Sequence, residues 1–159
     1  MLDELRRLSV RELLTLWAAS LRELRDRGVV RTFNNPIGDI AEELVSVHYG
    51  GERGGFSQKT WDVRVGDELL QVKALRRTGT RTRRNLSPVR SDDGYDAVIV
   101  VIFTDDLRVD QALRIPREVV NELFPRRAHV NGRVITLTAT LLAHPDVTSI
   151  ALSDAVLDA

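Results

Sequence analysis

Apolar and polar residues alternate twice within TWDVRVGDELLQVK, residues 60–73. Trp61, Val63 and Val65 are separated by Asp62 and Arg64, Leu70 and Val72 by Gln71, and Gly66-Asp67 lies between the two runs. A period of two on both sides of a Gly-Asp pair predicts a β-hairpin with a two-residue turn. That turn sets the register, with Val65 opposite Glu68, Val63 opposite Leu70, Asp62 opposite Gln71 and Trp61 opposite Val72. Directly opposed residues share a face. Trp61, Val63, Leu70 and Val72 are therefore expected on an apolar face, and Asp62, Gln71 and Lys73 as a polar cluster on the other.

Upstream the period changes to that of a helix. Ser9 followed three residues later by Glu12 is a capping box. Val10, Leu14, Trp17, Leu21 and Leu24 then recur at steps of four, three, four and three, which predicts an amphipathic helix ending near Gly28, after a short helical lead-in from Leu2. Its stripe is expected to pack on its own domain, with a homodimer seam as the alternative. Asn35 caps a second helix that Pro36 opens and Gly50-Gly51 stops. Ile37, Ala41, Leu44, Val45 and His48 form its inward stripe, and of the adjacent Glu42 and Glu43 only one is expected to face the hairpin. Residues 52–59 read as a polar loop.

Downstream, DAVIVVIF at 96–103 is a continuous run rich in β-branched residues, the pattern of a strand buried on both faces at the centre of a mixed sheet. Residues 107–115 predict a further strand, and Pro116 opens a helix through Phe124. Asn131-Gly132 predicts a hairpin between 128–130 and 133–137. The tail predicts one short helix near Leu141 and a frayed end.

With 159 residues the chain suits one domain: an N-terminal helical extension at 1–30, a core at 31–140 and a tail at 141–159. Hydrophobic residues make up 43% and charged ones 29%, without an apolar run long enough for a membrane span or a signal-peptide core. The absence of cysteine excludes disulfides and thiolate metal sites and suits a cytoplasmic protein. His48, His129 and His144 lack the paired spacing of a zinc site. The formal net charge is zero, but charge is segregated: residues 73–90 contain Lys73, Arg76, Arg77, Arg81, Arg83, Arg84 and Arg90 and no acid. Local potential matters more to nucleic-acid binding than the total.

Asp62, eight intervening residues, then Gln71-Val72-Lys73 resembles the PD-(D/E)XK signature of the restriction-endonuclease-like nucleases, in the variant with Gln in the middle acidic slot that Mrr-like members show. Gly38-Asp39-Ile40-Ala41-Glu42 is similar to the upstream helix of that superfamily, which carries a Glu four residues after a Gly. Trp61 stands where the name-giving Pro would be, and Gln71 replaces Asp or Glu. The resemblance implies an α/β fold with a restriction-endonuclease-like core, a mixed sheet between helices, over roughly 32–137. It also implies a metal-dependent endonuclease.

On that reading Asp62, Glu42, Gln71 and the Val72 carbonyl are expected to hold Mg²⁺, with Mn²⁺ as substitute, and Lys73 to position the attacking water and stabilise the transition state. Arg76, Arg77, Arg81, Arg83, Arg84 and Arg90 are expected to hold phosphates of nucleic acid, most simply double-stranded DNA. Two other readings stand beside it. Gln71 removes a charge, so the chain could keep the fold as an inactive nucleic-acid-binding or assembly subunit. Alternatively, the leucine stripe is the functional surface of an interaction domain.

Overall fold

In a computed structural model, which describes every residue except Phe56, Gln58, Lys59 and 80–83, the chain divides into two compact units, Met1–Ile40 and Ala41–Ala159. In the first, α1 (Leu2–Leu5) leads into α2 (Val10–Asp26). The capping box is formed: Glu12 N donates to Ser9 Oγ at 3.3 Å, and Ser9 N donates to Glu12 Oε2 at 2.7 Å. Gly28, at φ 77°, supplies the left-handed residue that ends the helix.

The stripe of α2 departs from expectation. Leu21 is buried, but Val10, Leu14 and Trp17 are 74%, 53% and 54% exposed. Among the described residues of its unit, the chain returns to the C-terminal half of the helix, where Val29 N and Val30 N donate to Leu24 O and Phe33 helps to line a groove of about 310 Å³ with Trp17 and Leu21. A unit this short has too little chain to cover both halves of its longest helix.

Helix α3 (Ile37–Tyr49) runs from the first unit into the second. Ile37 N donates to Asn35 Oδ1 at 3.2 Å, so Asn35 caps it. Ala41, Leu44 and Val45 are buried. His48, expected inward, is exposed; it sits in the last turn, edge-on to Tyr49 with ring centroids 4.7 Å apart, and Ile40 is buried in the stripe instead.

The second unit is an α/β structure. Its strands are β1 (Glu52–Arg53), β2 (Val63–Val65), β3 (Glu68–Arg76), β4 (Ala97–Phe103), β5 (Val109–Pro116), β6 (Arg126–Arg127), β7 (Gly132–Arg133) and β8 (Thr148–Ile150), with helices α4 (Arg117–Leu123) and α5 (Ala139–Leu142). Among the described residues, six strands form one mixed sheet in the order β1-β2-β3-β4-β5-β8. β3 and β4 are parallel and the other neighbours antiparallel. All seven residues of β4 are fully buried, as its unbroken apolar run requires.

The hairpin register is the expected one: Val65 pairs with Glu68, Arg64 with Leu69 and Val63 with Leu70. Elsewhere three segments differ. Glu52 and Arg53 pair with β2 as an edge strand rather than a loop. The tail adds β8 to β5. The Asn131-Gly132 turn is present, with Asn131 at φ 47°, but its strands are only Arg126–Arg127 and Gly132–Arg133, and Ala128–Val130 is a 3-10 turn. Arg133 and Thr136 instead bridge to Val89 and Asn85. A Cβ on Gly132 would meet Val89 O at 2.6 Å, so glycine is what permits that close approach.

Gln71, Lys73 and Leu75 register with Val98, Val100 and Ile102 and so share their face of the sheet. That face is the main core, where Val98, Val100 and Ile102 cluster with Tyr95, Val119, Val120 and Phe124. Tyr95 is itself fully buried, and among the described residues its hydroxyl has no hydrogen-bond partner. Burial pushes the phenol from its ordinary 10 up to about 12. The folded chain therefore keeps this proton where the unfolded chain loses it, and stability is expected to fall as pH rises from about 10 to 12. Tyr95→Phe should remove that fall and raise stability at neutral pH by about 1 kcal/mol, because a buried hydroxyl without a partner is lost. Urea unfolding of both proteins across that pH range checks it.

Candidate active site

The cluster forms where β2 gives way to the loop before it. The β2–β3 ladder ends at Val63 and Leu70, so Asp62 does not pair opposite Gln71 as the two-residue turn alone implies. Its N–H donates to Leu70 O at 2.7 Å, one residue short of that partner. Its carboxylate takes over: Oδ2 accepts from Val72 N at 2.7 Å. A charged acceptor makes the stronger bond to an N–H, which accounts for the ladder stopping here.

Gln71 is buried, and its Nε2 donates to Thr60 O at 2.7 Å. Its carbonyl oxygen is therefore the side-chain atom with ligand chemistry. Lys73 is half-buried, and its Nζ donates to Pro88 O at 3.2 Å. Burial holds the Lys73 ammonium below its ordinary range; Asp62 opposes this, Arg90 adds to it, and Glu42 opposes it. Asp62, Glu42, Arg90 and Lys73 thus lie within one electrostatic neighbourhood, drawn from α3, the hairpin and the loop after β3. No protein-family model and no curated protein matches the chain.

Glu42 and Glu43 do not divide between site and solvent. Arg53 bridges both: its Nη2 lies 3.4 Å from Glu42 Oε2 and its Nη1 3.1 Å from Glu43 Oε2. The sequence pattern hid Arg53 by placing 52–59 in a loop. The signal it did carry was an arginine isolated between two glycine pairs, eleven residues beyond the first of two helical glutamates. Asp96, just before β4, is bound elsewhere: its Oδ2 accepts from Leu69 N at 2.8 Å and so secures the start of β3.

The arginines separate into groups. Arg76 bonds the Asp105 carbonyl through Nε at 2.8 Å, and Arg77 pairs with Asp110, so both are held by acids from beyond β4, away from Lys73. Arg84 and Arg90 are exposed. Arg84 and Arg77 line a cavity of about 340 Å³ floored by Ile102 and Leu137. Arg81 and Arg83 lie outside the described residues.

Among the described residues no group of three or more His, Asp or Glu gathers as a metal cluster. Two carboxylates, Asp62 and Glu42, do act on the same lysine, and the buried Gln71 carboxamide comes from β3 two residues before that lysine. Mg²⁺ asks for one or two carboxylates and fills the rest of its octahedron with water and substrate oxygen, so the residues present fit that hard ion. They do not fit a soft metal.

Proposed function

We propose that the chain is a cytoplasmic, metal-dependent phosphodiesterase with a restriction-endonuclease-like core of the PD-(D/E)XK kind, most simply a DNA endonuclease of restriction or defence type. The observation that supports it best is the convergence of Asp62 and Glu42 on one half-buried lysine, Lys73, at the mouth of an acid-free arginine segment.

On this reading Asp62 and Glu42, helped by the Gln71 carboxamide oxygen and the Val72 carbonyl, would hold Mg²⁺ or Mn²⁺. Such an ion, when bound, lowers the pKa of a water and offsets phosphate charge. Lys73, fixed by Pro88 O, orients the attacking water and stabilises the charge that grows on the phosphoryl oxygens. Arg90, and Arg84 earlier in the loop, hold flanking phosphates without reading sequence. Arg76 and Arg77 are committed to Asp105 and Asp110 and leave this role to the other arginines. A two-fold dimer through the exposed half of α2 would supply the second site that a double-strand cut needs.

A second reading, an inactive nucleic-acid-binding subunit, is favoured by Gln71, whose amide is already used on Thr60, and by Arg53, which already balances Glu42. Both readings predict phosphate binding. Arg84→Ala with Arg90→Ala is expected to weaken DNA binding equally for unrelated sequences and to lower the slope of log K against log salt by about 0.9 for each phosphate no longer held. A gel-shift series across salt concentrations measures this, and an unchanged slope would remove the phosphate-binding role.

A further inference from the structure

Neighbouring residues on a helix point about 100° apart, so Glu42 and Glu43 would ordinarily find separate partners. Here one guanidinium spans both, at 3.4 and 3.1 Å, from the edge strand β1. Its side chain is only 11% exposed. Glu42 thus faces two cations, Arg53 in direct contact and Lys73 through its field.

The charge balance follows. Among the described residues of this cluster, three carboxylates (Glu42, Glu43 and Asp62) stand beside three cations (Arg53, Lys73 and Arg90). Of these cations, the one whose charge a divalent ion at Glu42 would meet first is the one in direct contact with that carboxylate. Lys73 is anchored on Pro88 O, and Arg90 acts at longer range from an exposed position. Arg53 sits on the carboxylate itself.

We propose that Arg53 is a positioning residue that holds Glu42 as its resident counter-cation and is the group a divalent ion must displace. The inference rests on the reading of Asp62 and Glu42 as an ion-binding pair. It assigns Arg53 a defined effect: it aims Glu42 in the ion-free protein and sets a threshold for ion binding. A guanidinium suits this better than an ammonium, because its planar fork spans two carboxylates.

The test is Mn²⁺ binding to the full chain, read from loss of the free-ion paramagnetic resonance signal. Arg53→Gln keeps a hydrogen-bond donor without the charge and is expected to tighten Mn²⁺ binding roughly tenfold, since a positive charge next to the ligand has gone. Arg53→Lys keeps the charge but cannot span both carboxylates, and is expected to tighten it about threefold; it also serves if Arg53→Gln does not fold. Glu42→Gln should weaken binding in either background. If Arg53 only braces β1 against α3, both arginine variants bind Mn²⁺ as the parent does or more weakly, and the proposal is overturned. Parent binding that disappears in Asp62→Ala, with no tightening in the arginine variants, sinks this proposal alone. No Mn²⁺ binding by parent or variants sinks the ion-binding reading and this inference with it.

Discussion

Replacing Lys73 with Met is expected to lower phosphodiester cleavage by about 10²–10³-fold while leaving the fold at least as stable as the parent. The two effects have one cause. Lys73 stands on the face of β3 that Val98, Val100 and Ile102 share, and burial is the largest influence on its ammonium. A charge held against desolvation is tolerated rather than stabilising. Met keeps most of the length and the apolar stem and gives up the bond to Pro88 O, worth about 1 kcal/mol, together with the attraction of Asp62 and Glu42, which the desolvation of the ammonium outweighs. On the proposed mechanism the catalytic loss falls in the cleavage step, because there the ammonium would act where phosphoryl charge develops and not where substrate binds. Single-turnover cleavage and melting temperature, measured on the same preparation, check both halves. A variant that cuts at the parent rate and melts several degrees lower would reverse the assignment and make Lys73 a structural residue.

Asp62→Ala is expected to act on fold and chemistry together, and Asp62→Asn to separate them. Without the carboxylate, Val72 N–H, on a buried residue, loses the acceptor it now has at 2.7 Å. Leaving a buried donor unsatisfied costs roughly 1–3 kcal/mol. The Asp62→Asn side chain keeps an acceptor oxygen, so the stability of that variant should fall within about 1 kcal/mol of the parent. Both substitutions remove the negative charge, and both should abolish divalent-ion binding measured by calorimetry. Equal ion binding by the Asp62→Asn variant and the parent protein would move the metal role away from this residue.

The hairpin was legible because a two-residue turn leaves few registers, and Val63 against Leu70 came out as its spacing requires. So was β4, whose seven apolar residues have no polar side that could face water. The end of the hairpin was not legible. Whether Asp62 continues a ladder or breaks it depends on a side chain competing with the backbone for Val72 N–H, and alternation carries no record of that competition. β1 and β8 were missed because two- and three-residue edge strands contain too few positions to show a period, and their pairing is decided by the strands already in place. Arg53 followed β1 out of view. The α2 stripe was read correctly as amphipathic, but its exposed half reflects how much chain its unit has to cover it, which periodicity does not encode. In the arginine segment the number of cations was visible and their commitments were not: Arg76 and Arg77 have acidic partners 29 and 33 residues away in sequence.

The most direct test of the central claim is cleavage of supercoiled plasmid and of a labelled duplex oligonucleotide by the parent protein with Mg²⁺, with Mn²⁺ and with a chelator, beside Asp62→Asn. Nicked or linear product that needs the divalent ion and is lost in Asp62→Asn is the predicted result. A parent protein that binds the duplex but leaves it intact with either ion, and that Asp62→Asn matches in every lane, would contradict the nuclease reading and leave the binding subunit in its place.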